Sequence, residues 1–420
     1  MKKTDHTTEK KQRIINALWG LFIGDALAMP AHWYYQPANI PKLFGGSVKT
    51  YEAPPHPHVE AFLVGGKYLP DVAQAKKLGR KYDILFQHAR FYKTSYTDFD
   101  KSGFEYDEDG NLNIKDRYHY HHGLDAGENT LNAQLVRVLM RQIVAAGKYQ
   151  PDKFIADFIE YMTSQGLNND PYTEGYLRAW FENYSTGLPP AFCASNQRSN
   201  PGLNALGGLI RPLVLALAAG DESQALAFAA QHQQLTHRSE SIGAGLAVIV
   251  PAIHQIINGI NPKGVIENQS AKLRLPKYEG LELFRKYQEY GGPAAVPQDV
   301  MWQLHQTFAD ETWDIKTFTA NQSETKVVKK IFSTACYVEH GVPMLLYLAY
   351  KYNFSFEEAL LANVNVGGDN VHRGMALGML LGAASHEIPQ NLIAGLKARE
   401  ALEKEIEAFA EIAVGGQGLG

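Results

Sequence analysis

The chain has 420 residues, of which 45% are hydrophobic and 20% charged, with a formal net charge of −4. This is the composition of a globular protein, and the near-neutral balance excludes a polybasic, extended nucleic-acid surface. A length above ~300 residues predicts either two domains or one large domain with insertions.

The first element is an apolar helix. Hydrophobic residues recur every four positions from Ile14 to Phe22, which is the spacing of one helix face. The acidic side chain of Asp25 inside the apolar run argues against a signal peptide. We expect this helix to run out at Pro30, with Asp25 in its last turns and His32 just beyond.

The stretch 37–122 is different, because it is rich in Tyr, Asp, Gly, Pro and Lys and lacks helical periodicity. We expect it to be an insertion carrying one or two short helices, such as one at Asp71 to Tyr82. Long irregular segments of this kind are usually lids or binding loops. Its last residues, Tyr118 to His122, are expected to stack on a base or cap a site. Three histidines so close in sequence cannot share one helix face, so no metal site is assigned to them.

The rest of the chain follows the helical period. The helix with the stripe from Leu131 to Leu139 should end at Gly147 as a C-cap, and Asp152 should be the N-cap of the next helix. A further helix should start near Gly207, and 262–298 is expected to be a second insertion. Alternating, strand-like segments are scarce, so the sequence predicts an all-α fold forming a single domain over 1–420.

Two further features bear on the compartment. Cys193 and Cys336 fit neither a disulfide framework nor a metal-binding spacing, which favours a reducing, cytoplasmic location. The apolar stretch Ile242 to Ile257 is shorter than the ~20 residues that a membrane span requires. We therefore expect no membrane span.

Four polar clusters lie at the edges of the apolar helices, and the last, within 363–374, is the most informative. Gly367 and Gly368 would let backbone pass close to a ligand, and the helix start that follows suits a phosphate. Asp369 and His372 are three residues apart and face the same side of a first helical turn. The alternative is that Asp369 only caps its helix.

A second cluster, Gly127 to Thr130, has the same character. Glu128 and Asn129 would stabilise the positive, N-terminal end of the helix that follows them. Two such helix starts facing each other would hold a hard cation with carboxylate and amide oxygens. We therefore expect Glu128-Asn129 and Asp369-His372 to converge on one cavity.

Five blocks in chain order resemble the ADP-ribosylglycohydrolase family. They are Gly24-Asp25-Ala26 with Pro30, Gly127 to Thr130 at the family's Thr-Asp-Asp-Thr motif, Gly207 to Pro212, Thr236-His237, and Gly367 to His372 at its Gly-Gly-Asp-Thr-Asp-Thr motif. The resemblance implies a compact orthogonal helical bundle that hydrolyses ADP-ribose from acceptors at a dinuclear Mg²⁺ or Mn²⁺ site.

The chain departs from the family pattern at the metal-binding positions. Asn129 replaces an acidic residue, Val371 and His372 replace the second Asp and the last Thr, and His32 replaces a Glu. Because four carboxylates fall to two, the sequence favours a single Mg²⁺ or Mn²⁺ or a metal-free site over two ions. Imidazole ligands would shift the preference toward Mn²⁺ or Zn²⁺.

Three groups of candidate site residues follow. The catalytic candidates are Glu128, Asp369 and His32, as the anion and the base that cleavage of a ribosyl bond requires. The metal-ligand candidates are Glu128, Asn129, Asp369 and His372. The substrate-binding candidates are Gly24, Asp25, Gly207, Arg211, His237, Asn365, Gly367, Gly368 and Arg373.

The sequence leaves three functions open. The first is a hydrolase acting on a small-molecule or protein-attached ribosyl nucleotide, and the second is a nucleotide-binding protein that kept the fold without turnover. The third is a structural protein with no ligand. Because Asn129, His32 and His372 are polar and able to coordinate, the replacements favour a retuned enzyme.

Overall fold

The computed structural model describes residues 3–61, 63–99, 103–108, 110–198, 201–292, 295–305 and 307–415. Within these ranges the chain is mainly helical, with short strands that form two-stranded sheets. The all-α prediction is confirmed.

The α-helices are numbered in chain order. The first ten are α1 (Lys3–Ala28), α2 (Asn39–Phe44), α3 (Val72–Lys77), α4 (Leu131–Ala146), α5 (Pro151–Met162), α6 (Gly175–Ser185), α7 (Gly207–Ala218), α8 (Glu222–Thr236), α9 (Glu240–Ile257) and α10 (Pro262–Ser270). The others are α11 (Gly280–Glu289), α12 (Gln298–His305), α13 (Ile315–Asn321), α14 (Glu324–Lys326), α15 (Val338–Lys351), α16 (Phe356–Val366), α17 (Asn370–Ala384), α18 (Gln390–Ala394) and α19 (Arg399–Val414).

Short strands and tight helical turns connect these helices. The parallel pairs are β1 (Lys67–Tyr68) with β2 (Lys93–Thr94) and β3 (Ser195–Asn196) with β4 (His237–Arg238). The antiparallel pair is β5 (Arg274–Pro276) with β6 (Phe308–Thr312), in which Arg274 lies opposite Thr312. The 3₁₀ turns are Met29–Ala31, Leu63–Gly65, Phe86–Phe91, Ile114–Asp116, Pro190–Phe192 and Pro201–Asn204, and Val327–Ile331 is a π-helix.

The helices α1 and α17 form the centre of the core. All residues of α17 from Asn370 to Ala383 are buried. By length and composition alone α1 and α9 would be able to cross a membrane, but their apolar windows are 100% and 72% buried inside the fold. Burial of this extent is that of core helices.

The two central helices touch backbone to backbone along a seam of glycines. A Cβ on Gly378 would lie 2.0 Å from the carbonyl oxygen of Gly20, and one on Gly24 would lie 2.1 Å from that of Gly374. The register is antiparallel, so the end of α1 lies beside the start of α17. Gly374, Gly378 and Gly382, spaced four residues apart, therefore form a close helix contact in which no side chain larger than hydrogen fits.

The segment 37–122 is largely irregular, as expected, and its helix α3 is capped by Asp71, whose side chain accepts the N–H of Gln74 at 2.9 Å. The second expected insertion, 262–298, contains α10, β5 and α11. The prediction that Asp152 is the N-cap of α5 is wrong by two residues: Gln150 is at the cap position, and Pro151 occupies the first helical position, where it needs no N–H partner.

The seam gives a stability prediction. Gly378→Ala places a methyl group against the Gly20 carbonyl and should lower the free energy of unfolding by about 3 kcal/mol, since a packed backbone cannot move away. The matched control is Gly264→Ala in α10, where a Cβ meets no atom within 4 Å and should stabilise by about 0.5–1 kcal/mol. Urea unfolding of both variants measures the difference, and equal effects would contradict the seam.

Candidate active site

The cavity beside the start of α17, called the main cavity below because it contains Asp369 and His372, has a volume of about 380 Å³, in the range of small-molecule sites. Its walls come from the end of α1, the irregular 37–122 segment, the start of α6 and the start of α17. The lining residues are Trp33, Leu63, Gly66, Tyr92, Tyr120, Tyr172, Glu174, Gly175, Tyr176, Arg178, Ala205, Cys336, Asp369 and His372.

Three aromatic side chains form one wall. The ring centroids of Trp33 and Tyr120 are 5.0 Å apart, those of Trp33 and Tyr172 are 5.4 Å apart, and those of Tyr120 and Tyr172 are 5.5 Å apart. Trp33 has a positive φ of 67°, and its backbone N–H donates to the Gly368 carbonyl at 2.8 Å. Such faces suit stacking on a base or a sugar ring. Tyr120 belongs to the Tyr118–His122 segment, for which stacking or capping was expected.

Asp369 lies at the N-cap position of α17, but its side chain accepts no N–H of that helix. The turn before it threads between two other chain segments. Gly368 donates to the carbonyl of Tyr34 and Asp369 donates to that of Thr334, each at 2.8 Å. Gly367 and Gly368 have φ values of 71° and 62°. The glycines therefore give the backbone room against other backbone, rather than against a ligand, and leave the Asp369 carboxylate free for the site.

Imidazoles flank the Asp369 carboxylate on both sides. His32 Nε2 lies 3.2 Å from Asp369 Oδ1, and His372 Nδ1 lies 2.7 Å from the same oxygen as an ion-pair contact. On the other side of the His32 ring, His32 Nδ1 is 2.6 Å from His121 Nε2, and His121 Nδ1 is 2.8 Å from Asp170 Oδ1. On the far side, His372 Nε2 is 3.7 Å from Glu174 Oε2. All of these groups are buried.

These contacts shift the pKa values apart. Burial acts to raise the pKa of Asp369, but His372 and His32 hold it well below its ordinary value. Burial acts to lower the pKa of His372, but Asp369 and Glu174 raise it to about 9. Burial raises the pKa of Glu174 and lowers that of His32 well below 6.5. The cluster therefore holds a charged Asp369 beside a carboxyl that resists ionisation.

Glu174 is the functional residue that the sequence reasoning missed. It precedes α6 and its carboxylate fits against α7 because Gly207 has no side chain: a Cβ there would lie 2.4 Å from Glu174 Oε1. Asn132 donates to Glu174 Oε2 at 3.2 Å. The available signal was the polar stretch 168–174 before a helix, which also contains Asp170 and resembles the other polar clusters in character.

Glu128 lies apart from this cluster. It is half-buried, and its Oε2 accepts the backbone N–H of Asp125 at 2.9 Å. Its charge acts on Lys397, whose pKa is raised mainly by Asp125. The structure thus does not bring Glu128 to Asp369, because the turn that precedes α4 directs this side chain outward.

Asp25 and Asn129 instead secure the start of α4 to α1. Asp25 Oδ2 accepts the Thr130 N–H and the Asn129 side-chain amide, both at 2.8 Å, and Oδ1 accepts the Thr130 hydroxyl at 2.6 Å. Burial raises the pKa of Asp25. Because Thr130 and Asn129 both donate to it, the Asp25 carboxylate acts as an N-terminal cap for α4, a helix distant in sequence.

The other expected substrate-binding residues make contacts inside the fold. Arg373 donates to Asn363 Oδ1 at 2.6 Å and to the Gly367 carbonyl at 2.8 Å, while Arg211 donates to the Tyr176 hydroxyl and to Thr236, each at 2.7 Å. The ring centroids of His237 and Tyr176 are 3.9 Å apart, and the Asn365 side chain bonds the backbone N–H and carbonyl of Val48. Among the described residues that line the main cavity there is none of the nine predicted: Gly24, Asp25, Gly207, Arg211, His237, Asn365, Gly367, Gly368 and Arg373.

The starts of α4 and α17 do meet. A second, enclosed cavity of about 10 Å³ is lined by Thr130, Leu131 and Asn132 of the first start and by His372 of the second. That volume is about enough for one water molecule. The two helix starts therefore lie side by side, but the expected convergence of Glu128-Asn129 with Asp369-His372 is wrong, because Thr130, Leu131 and Asn132 line this cavity in place of Glu128 and Asn129.

A single divalent ion fits this cluster better than two. Ligand atoms of His32, Asp369 and His372 lie within 4.8 Å of one another, and Asp369 Oδ2 is a buried acceptor with no hydrogen-bond partner. An orphaned buried acceptor is what a position completed by an ion or a water requires. Two ions would need several carboxylates to offset four positive charges, and this group supplies one. Glu128 and Asn129 lie outside the group.

Comparisons with known proteins agree with this architecture. A family model described as ADP-ribosylglycohydrolase matches residues 6–418. A solved structure titled "ADP-ribosylglycohydrolase-related protein complex" superposes with a TM-score of 0.53 at 15% identity, covering 97% of this chain and 99% of that one. No curated protein sequence matches the chain. At that identity, the structural likeness shows the fold.

The Asp25 clamp gives a second prediction. Asp25→Ala leaves buried donors of Thr130 and Asn129 unpaired and should cost about 3–5 kcal/mol of unfolding free energy. Asp25→Asn can keep all three contacts, because its oxygen accepts both N–H groups while its amide donates to the Thr130 hydroxyl. The Asn variant should therefore lie within about 1 kcal/mol of the parent protein. Denaturant unfolding that ranks the two variants equally would contradict this role.

Proposed function

Because the chain belongs to the ADP-ribosylglycohydrolase family, we propose that its main cavity hydrolyses the glycosidic bond between an ADP-ribosyl group and its acceptor. Members of this family are usually hydrolytic on ADP-ribosyl compounds. The proposal adds the residues that carry the reaction in this chain, and its partner is a small-molecule or protein-attached ribosyl nucleotide. A cytoplasmic location is part of the same proposal.

One observation carries the proposal: Asp369 and Glu174, on either side of His372, have pKa values shifted in opposite directions. Opposite shifts in two neighbouring carboxyl groups are the pattern of an acid and an anion that work together. Cleavage of a ribosyl bond needs both, because positive charge develops on the sugar while the leaving group takes up a proton.

The roles follow from these charge states. Asp369, held ionised, stabilises the developing oxocarbenium sugar. Glu174, whose pKa is raised by burial, donates a proton to the leaving acceptor and later receives one from water. A divalent ion bound by His32, Asp369 and His372 would supply Lewis-acid polarisation or a more acidic water at this position.

The aromatic wall and one arginine account for the nucleotide. Trp33, Tyr120 and Tyr172 present ring faces to the cavity for a base or the ribose. Arg178 lines the same cavity, and its Nε donates to the Lys67 carbonyl at 2.8 Å. A guanidinium has five N–H donors, so others remain for the phosphates. This role replaces the one expected for the buried Arg211 and Arg373.

The first test compares two carboxylate substitutions. Asp369→Asn should lower kcat by about 10³-fold or more, because the amide cannot stabilise the positive sugar. Glu128→Gln should change kcat less than about threefold, because its side chain is held in the Asp125 turn. Chromatography of ADP-ribose released from arginine-, serine- and nucleic-acid-linked conjugates, with Mg²⁺ or Mn²⁺, gives the rates.

Reduced activity in Glu128→Gln with an active Asp369→Asn would reverse the assignment. Tight binding of ADP-ribose by calorimetry, with no product from any conjugate after long incubation, would show instead a binding protein without turnover. Neither binding nor product would leave a structural protein.

The proton donor has a separate test. Glu174→Gln should slow release of acceptors that leave as alkoxide or amine by about 10²–10⁴-fold, the usual contribution of a general acid. Release of nicotinamide from its ribosyl conjugate should fall far less, since that leaving group departs neutral. Rates measured on both substrate types decide the role, and an equal loss on both would contradict it.

A further inference from the structure

Behind the cavity, the group Asp170, His121 and His32 forms a buried chain that ends at Asp369. Successive polar atoms along it are 2.8, 2.6 and 3.2 Å apart. His32 and Asp369 have no exposed surface, and His121 and Asp170 are 1% and 2% exposed. Because solvent does not reach these polar atoms, their hydrogen bonds must be made to other groups of the protein.

Asp170 anchors the far end of this group. Its Oδ2 accepts the N–H of Leu131 at 2.8 Å, and its Oδ1 accepts that of Tyr172 at 3.0 Å. Asp170 Oδ1 also lies 2.8 Å from His121 Nδ1, which can donate to it. In that arrangement His121 Nε2 is available as an acceptor for His32.

His32 is held at one of its two nitrogens. For His32 Nε2 to offer a lone pair, Nδ1 must carry the proton, and His121 Nε2 lies 2.6 Å from it as the acceptor. His32 Nε2 is then turned to Asp369, 3.2 Å from Oδ1. A cation beside Asp369 would be bound by this lone pair and by the carboxylate.

His372 lies on the other side of Asp369, with Nδ1 2.7 Å from Oδ1 and Nε2 3.7 Å from Glu174 Oε2, which is beyond hydrogen-bond distance. Both imidazoles therefore turn one nitrogen toward Asp369, and His32 has a hydrogen-bonding partner behind its other nitrogen. Imidazoles that bind metals almost always donate their other N–H to such a partner.

We propose that Asp170 and His121 fix His32 as a lone-pair donor, so that His32, His372 and Asp369 bind one imidazole-preferring divalent ion such as Zn²⁺ or Mn²⁺ in preference to Mg²⁺. Asp369 Oδ2, buried and without a partner, completes the ligand set. A proton placed between His32 and Asp369 would satisfy that one contact and leave Oδ2 orphaned, whereas an ion satisfies all three ligands. Nitrogen ligands favour zinc and manganese over magnesium. The inference rests on the same site as the proposed function.

The test uses the full chain, stripped of metal, with no nucleotide present. Isothermal titration should give one Zn²⁺ or Mn²⁺ per chain, bound roughly 100-fold more tightly than Mg²⁺ because of the two imidazoles. The visible spectrum of the Co²⁺-loaded protein reports nitrogen ligation independently. Equal affinities for Mg²⁺ and Zn²⁺, or no ion bound, would overturn the inference.

Two substitutions at one position test the positioning pair. His121→Phe removes the acceptor for His32 Nδ1 and lets the His32 proton move to Nε2, so Zn²⁺ affinity should fall by about 10–100-fold. His121→Gln keeps an acceptor oxygen for His32 and should recover most of that affinity. His232→Gln replaces a buried histidine of α8 that does not belong to the Asp170–His121–His32 group, and this variant should bind Zn²⁺ as the parent does.

Thermal unfolding of each metal-free variant separates misfolding from lost positioning. A His121→Phe protein that is folded and binds Zn²⁺ with parental affinity would overturn the role of the pair. Because binding is measured without substrate, an inactive protein that binds Zn²⁺ contradicts the proposed function alone. An active protein that binds no ion contradicts this inference alone.

Discussion

The contact between α1 and α17 is the constraint on which the site depends. Each step of four residues toward the end of α1, from Gly20 to Gly24, is matched by a step from Gly378 to Gly374 toward the start of α17. One further turn brings the end of α1 beside the residues that begin α17. The distance between His32 and Asp369 is therefore set by a helix register, and a register held by backbone contact cannot slide without clashes.

The start of α4 connects this helix pair to the rest of the site. Two of its backbone N–H groups have no partner within the helix, and carboxylates far away in sequence accept them: Asp25 binds the N–H of Thr130 and Asp170 binds that of Leu131. The positive end of the helix favours both anions. Asp25 serves stability alone, whereas Asp170 also orients His121. One helix start thus carries both a structural clamp and the base of the imidazole chain.

The sequence predicts a large part of this arrangement, because the helical period and the helix caps are local patterns. Asp369, His372 and His32 were identifiable as site residues for the same reason, since each stands at a helix end. Glu174 was not, because it is brought to His372 by tertiary packing across 198 positions of chain and a gap left by Gly207. No pattern within the 168–174 segment specifies that partner.

Glu128 illustrates the opposite error. The motif alignment identifies four consecutive residues, Gly127 to Thr130, but cannot say which of them faces inward. Gly127 has a φ of 77°, and the turn that follows lets Glu128 bond back to Asp125. Asn129 and Thr130 then face Asp25. A change of one position at a helix start rotates a side chain by about 100°, which is enough to exchange a buried ligand for a half-exposed one.

His32 and His372, which depart from the family motif, are connected with the residues behind them that the motif does not identify. A carboxylate has two equivalent acceptor oxygens, so it binds a cation without help from a neighbouring group. An imidazole has two different nitrogens, and a neighbour must determine which of them carries the proton. An ion bound through His32 therefore needs an acceptor behind that ring, and His121 with Asp170 provides it. His372 has Glu174 at 3.7 Å from its outer nitrogen, close enough for charge attraction but not for a direct hydrogen bond. Under the proposed ion, His32 would replace a carboxylate ligand because this support is present; without it, the ring would be free to turn its N–H toward Asp369.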